Sequence, residues 1–128
     1  MGRIKGELGP LERWVMELFW ADDGTELTVR DVLSARTDGD LAYTTLMTVV
    51  ERLYRKGFLA RRRAGRAYVY GVRVRRDDYL GGLVADILEG TDDRRGVLLG
   101  FVRQADTDDL AGLRAAIRAV ERERRSGR

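Results

Sequence analysis

The 128 residues predict a mostly α chain with one small β-hairpin, on three observations. Apolar residues recur at three- and four-residue spacing in six separate stretches, the period of helices with one buried face. A single segment, residues 58–72, instead gives two β-prone runs around a short glycine-containing turn. Cysteine and histidine are both absent, so the fold is not stapled by disulfides or by thiolate or imidazole metal sites.

The first helix is expected over Leu11–Ala21, with Pro10 suited to its opening turn and Leu11, Trp14, Val15, Leu18 and Phe19 on one side. Trp14 and Trp20 read as core anchors. After the "DDGTE" turn, Thr28 is placed to cap a second helix whose apolar side is Val29, Val32 and Leu33. The "TDGD" loop reverses the chain at Gly39, and Asp40 can cap the third helix.

That third helix, "AYTTLMTVVERLYRKG", carries the most information. On a wheel of 100° per residue, Ala42, Leu46, Val49, Val50 and Leu53 form the buried stripe, with Thr44, Thr48, Glu51 and Arg55 opposite. Thr45 and Arg52 flank one edge, Tyr43 and Met47 the other. Each β-branched threonine costs a helix roughly 0.5 kcal/mol relative to alanine. Three on a solvent face suggest a use for short hydroxyl and methyl groups, although harmless surface threonines would read the same way.

Gly57 suits a C-terminal cap, and the runs Phe58–Arg63 and Ala67–Val72 then make a hairpin around Ala64-Gly65-Arg66. Three helices followed by an arginine-rich hairpin are the pattern of a winged helix-turn-helix domain, assigned to residues 1–75. Residues 76–128 return to helical periodicity, with Leu80, Leu83, Val84, Ile87 and Leu88, then Val97, Leu98, Phe101 and Val102, then Leu110, Leu113, Ile117 and Val120. Short amphipathic helices need something to cover their stripes. A C-terminal helical dimerisation element is the expectation, its seam drawn from Leu80, Leu83, Val84, Ile87, Leu98, Phe101, Leu110, Leu113 and Ile117.

The net charge of +3 is unevenly spread: residues 1–75 hold 14 Lys+Arg against 10 Asp+Glu, and residues 76–128 hold 10 against 11. Within residues 52–66, "RLYRKGFLARRRAGR", there are cations at 52, 55, 56, 61, 62, 63 and 66 and no acid, a candidate phosphate-facing surface. Catalysis by Ser-His or Cys-His pairs is impossible without histidine, so an enzyme is not expected, nor a cofactor or a metal. The acid pairs Asp22-Asp23, Asp77-Asp78, Asp92-Asp93 and Asp108-Asp109 fall at turns or helix starts, where carboxylates satisfy free amides. Gly81-Gly82 lacks the strand and third glycine of a nucleotide fingerprint and reads as a site of close helix packing. No stretch has the apolar length of a signal peptide or of a span, and the expectation is a cytoplasmic protein without membrane insertion.

The segments "LGPLERWVMELFW", "LTVRDVLSA" and "LAYTTLMTVVERLYRKGFLARRRAGRAYVY" together resemble the penicillinase-repressor (BlaI/MecI) family of bacterial winged-helix regulators. The likeness runs from about Leu8 to Tyr70, and "YTTLMTVVERLYRKG" is its most specific part. It implies a homodimer that sits on a dyad-symmetric, palindromic double-stranded DNA operator and represses β-lactamase-type or related genes. It further implies that Tyr43, Thr44, Thr45 and Thr48 face the major groove, where a threonine methyl can meet a thymine methyl. Arg63 and Arg66 of the hairpin would lie near phosphate or minor groove, and Arg52 and Arg55 would supply phosphate contacts. In antibiotic-responsive members cleavage falls at an Asn-Phe bond in the dimerisation region, so the resemblance implies a membrane sensor protease as a partner; this chain has Gly100-Phe101 at the corresponding place instead. A copper-responsive branch carries a cysteine-rich tail that this chain lacks. The competing reading is a winged-helix interaction module whose basic patch binds an acidic protein.

Overall fold

The computed structural model describes residues 7–22, 24–36, 39 and 41–127. Among them the elements run α1 (Pro10–Trp20), β1 (Glu26–Leu27), α2 (Val29–Ser34), α3 (Tyr43–Lys56), β2 (Leu59–Ala64), β3 (Ala67–Val72), α4 (Arg76–Glu89), α5 (Arg94–Arg103) and α6 (Thr107–Gly127). They fall into two units divided between Asp86 and Ile87.

In the first unit, α1 starts at Pro10 and buries Val15, Met16, Phe19 and Trp20. Trp14 is only half-buried at the edge of this core, whereas Trp20 donates its indole N–H to the Val74 carbonyl at 2.8 Å. The cap expected at Thr28 is a reciprocal box: its Oγ1 accepts from the Asp31 amide at 3.1 Å, and the Asp31 carboxylate accepts from the Thr28 amide at 2.9 Å. α3 buries Leu46, Val49, Val50 and Leu53, as the wheel requires. Ala42 is the exception to the expected stripe, because it stands at the N-cap position with extended backbone and is exposed. Asp40, expected as that cap, lies outside the described residues.

Gly57 ends α3 at φ 90°, a left-handed conformation that any side chain would strain. The turn it makes lets the Phe58 amide reach back to the Leu53 carbonyl at 2.9 Å and drops Phe58 and Leu59 straight into the core. The hairpin pairs Leu59 with Val72 through to Ala64 with Ala67, leaving Gly65 and Arg66 as a two-residue turn. Gly65, at φ 65°, again takes the left-handed region. Strand order is β1-β3-β2, all antiparallel. The short β1 was not expected: two residues carry no periodicity, and the chain before Thr28 read as turn alone.

α4 enters this core as well. Tyr79 is buried, with its ring centroid 5.6 Å from Trp20 and 5.7 Å from Phe58, and its hydroxyl accepts from the Leu8 amide at 3.0 Å. Leu83, expected in the dimer seam, is partly buried against the same core. Gly82 is buried while Gly81 is exposed.

One buried carboxylate ties the helices together. Glu12 accepts from the Gly9 amide at 2.9 Å through one oxygen and from the Lys56 ammonium at 2.9 Å through the other, joining the start of α1 to the end of α3. Burial opposes its ionisation, but the Gly9 amide, Lys56 and the field of Arg52 outweigh it, so its pKa lies below the ordinary carboxylate value.

In the second unit the Asp93 carboxylate caps α5 by accepting from the Gly96 amide at 2.9 Å, and Asp106 accepts from the Asp109 amide at 2.8 Å at the start of α6. No residue of α5 or α6 is buried. No helix among the described residues is long and apolar enough to cross a membrane.

Replacing Glu12 by glutamine should cost about 1–3 kcal/mol, because Lys56 and the Gly9 amide lose a charged acceptor. A depressed folded pKa contributes stability that is present above the ordinary carboxylate range and lost as pH falls through the lowered value. Urea unfolding of parent and Glu12→Gln between neutral and acid pH should therefore show the difference shrinking in acid.

Candidate nucleic-acid interface

With its apolar stripe inward, α3 turns the rest of its surface out. Thr44, Thr45, Thr48, Arg52 and Arg55 are exposed, Tyr43 borders them, and Met47 is 50% exposed on the same surface. The Thr48 hydroxyl donates to the Thr44 carbonyl at 3.0 Å. What Thr48 offers a partner is thus an acceptor lone pair and a methyl group. Tyr43 is held from α2 by Arg30, whose guanidinium lies 5.2 Å from its ring centroid.

Beside α3 stands the hairpin, and strand alternation divides its three consecutive arginines. Arg62 shares a face with Val69 and reaches across to Glu26 of β1, with contacts of 2.7 and 3.1 Å. Arg61 and Arg63 share the other face with Tyr68 and Tyr70. Arg61 donates to both carboxylate oxygens of Glu51 on α3, each at 2.9 Å. Arg63 lies 5.4 Å over Tyr68, and Arg66 occupies the hairpin tip.

Ion pairing therefore sorts the basic segment into two groups. Lys56, Arg61 and Arg62 each hold a carboxylate. Arg52, Arg55, Arg63 and Arg66 are exposed and, among the described residues, form no ion pair with an acid. Hydrogen bonding to Arg62 also holds the Glu26 carboxyl below its usual range, so this pin stays charged. Between α3 and the hairpin runs a groove of about 510 Å³, lined by Met47, Thr48, Arg52, Arg55, Tyr68 and Tyr70 among others.

The eight residues expected from sequence thus lie on α3 and the hairpin of the first unit. Arg30, Met47, Glu51, Arg61 and Tyr68 were missed as members of this surface. The wheel did place Met47 at the edge of the threonine face, but Arg30 and Arg61 act through partners on other elements, which no local pattern reports. Of the residues expected in a dimer seam, Leu80 and Val84 are exposed on α4, and Ile87, Leu98, Phe101 and Ile117 are exposed in the second unit. Leu110 and Leu113 are half-buried, as is Gly100 beside Phe101.

A helix presenting threonines and arginines, backed by a basic β-hairpin on a three-helix core, defines a winged-helix transcriptional regulator, not an enzyme. The penicillinase repressor family model matches residues 8–119, and the chain belongs to that family. It is 39% identical over 119 residues to the transcriptional regulator BlaI of Mycobacterium tuberculosis in strains CDC 1551 and H37Rv, covering 89% of this chain and 85% of each relative. Its fold is similar to the solution structure of the DNA-binding domain of the repressor BlaI, with a TM-score of 0.51 and 25% identity over 62% of this chain and 94% of that one.

The two faces of α3 should respond oppositely to truncation. Leu46→Ala, at a fully buried position, should cost about 2–5 kcal/mol of stability. Thr48→Ala should change it by less than about 0.5 kcal/mol, with alanine's helix propensity offsetting the lost hydroxyl bond. Thermal unfolding followed by circular dichroism separates them.

Proposed function

We propose that the chain is a homodimeric transcriptional repressor that occupies a palindromic DNA operator, with α3 in the major groove and the β2–β3 hairpin along the adjacent backbone. The observation that carries this reading is the sorting of cations. Acids pin Lys56, Arg61 and Arg62 to the scaffold, while Arg52, Arg55, Arg63 and Arg66 are left exposed around the threonine face. Those four supply sequence-independent attraction to phosphate, and Tyr43, Thr44, Thr45 and Thr48 read base edges and thymine methyls. The regulated genes are of the β-lactamase type or a related stress response.

The second half of the reading is assembly. Ile87 is 65% exposed and Phe101 53%, and no residue of α5 or α6 is fully buried. A second copy of the chain covers their apolar residues and holds two winged units at a fixed separation, so that binding one half-site raises the effective concentration at the other. Release follows from the same logic: cleavage by a partner membrane sensor protease near Gly100-Phe101 would cut α5 and uncouple the winged units without altering a DNA contact. Glycine at position 100 lowers the cost of unwinding the helix for such a cut.

Binding is tested with a duplex enriched by the full-length protein from a random-sequence pool. Single Thr→Ala changes at 44, 45 or 48 should each cost about 1–3 kcal/mol on that duplex where a base contact is lost, and little on unrelated DNA. Arg55→Ala should weaken both duplexes and lower the salt slope by about 1. Equal binding of all duplexes by parent and threonine variants would sink the assignment of α3 as the reading helix, and avid binding of an acidic protein in place of DNA would favour an interaction module. For assembly, Phe101→Glu should reduce the sedimenting species to one chain while leaving the winged unit folded; a dimer unchanged by it would move the interface elsewhere.

A further inference from the structure

Arg61 makes a set of contacts unlike those of any other arginine described in the hairpin. Its guanidinium carbon lies 4.0 Å from the ring centroid of Tyr54 and 4.0 Å from that of Tyr68, so it is flanked by one ring from α3 and one from β3. At the same time it holds both oxygens of Glu51 on α3 at 2.9 Å, with side-chain exposures of 21% for Arg61 and 31% for Glu51. Tyr68 in turn lies under Arg63 at 5.4 Å and beside Tyr70 at 6.4 Å. Helix, arginine, tyrosine and second arginine thus form one continuous stack from α3 to the outer part of the hairpin.

A guanidinium engaged in this way is a poor ligand for phosphate. Leaving the stack would surrender two aromatic faces and would strip Glu51 of its counter-ion on a surface otherwise dominated by cations. Lysine could keep the charge but not the planar sandwich. We propose that Arg61 and Glu51 are positioning residues for DNA binding: they fix the hairpin against α3 at the separation where Arg63 and Arg66 meet the backbone, and they do not touch DNA themselves. The inference rests on the DNA-binding reading above.

The sign of one substitution separates this role from direct contact. Glu51→Gln removes a negative charge from a DNA-facing surface and frees Arg61. If Arg61 were a phosphate ligand held back by Glu51, or if the pair did nothing, affinity would rise or stay level. If the pair positions the hairpin, affinity should fall despite the more favourable charge. Full-length parent, Glu51→Gln, Arg61→Lys, Arg66→Ala and the double variant Arg61→Lys/Arg66→Ala are compared by fluorescence anisotropy over a salt series, on the enriched duplex and an unrelated one. Thermal midpoints by circular dichroism confirm that each remains folded.

Both Glu51→Gln and Arg61→Lys should lose roughly three- to thirtyfold in affinity, the scale of a disrupted cation–π sandwich. Both should also flatten the salt slope, because a misplaced hairpin releases fewer counter-ions. In the Arg66→Ala background the Arg61→Lys loss should shrink, since the part that acts through Arg66 is already gone and only the part through Arg63 remains. A gain or no change from Glu51→Gln, or an Arg61→Lys loss that simply adds to that of Arg66→Ala, overturns the positioning role while the DNA-binding reading stands. A parent that enriches no duplex and shows no salt-dependent binding overturns both.

Discussion

The winged unit depends on the burial of one stripe of α3. Leu46, Val50 and Leu53 are fully enclosed and Val49 nearly so, by α1, α2 and the hairpin strands. A helix has only one rotational setting that satisfies such a stripe, so the orientation of the opposite face is not a separate choice. Thr44, Thr48 and Arg55 are presented outward because Leu46, Val49 and Leu53 are presented inward. The ends are fixed just as firmly, by left-handed Gly57 at one and by the Lys56–Glu12 pair that ties the last turn to α1. Core packing thereby becomes the device that aims the interface.

The second organising device is the use of acids to decide which cations are structural. Like charges gathered in one segment repel each other, and a cluster of arginines left to itself would splay. Here Glu12, Glu26 and Glu51, drawn from three different elements, each take one cation of the segment and turn it into a tie between elements. Apart from the buried Glu12 pair, solvent-exposed pairs such as Arg62–Glu26 contribute little to stability. Their value lies more in geometry: Arg62 draws β1 to the hairpin and Arg61 draws α3 to it. What remains untied is a short list of guanidiniums around the threonine face.

The parts of the fold that were legible in the sequence are those set by local patterns. The stripe of α3, the Thr28 cap and the glycine that closes α3 each follow from residues within four positions of one another, and the structure carries all three. Features set by distant partners were not legible. β1 exists only because Glu26 and Leu27 meet Gly71 and Tyr70 in space, and Tyr79 is buried because Trp20, Phe58 and Leu8 converge on it from separate elements. The same division holds at the interface. Helical phase exposed Thr44, Thr45 and Thr48, but the different fates of Arg61, Arg62 and Arg63 hang on strand register and on acids 10 and 36 residues away.

The chemistry of the exposed face has a consequence for signalling. It is built from threonine, tyrosine, methionine and arginine, in a chain with no histidine and no cysteine. Two of the pinning acids sit below the ordinary carboxylate range: burial opposes this at Glu12, but bonds from the Gly9 amide and Lys56 outweigh it, and the hydrogen bond from Arg62 lowers Glu26. Without imidazole or thiol, the face lacks the groups by which proteins most often sense acidification near neutrality or form disulfides, and half-exposed Met47 is left as an oxidisable side chain.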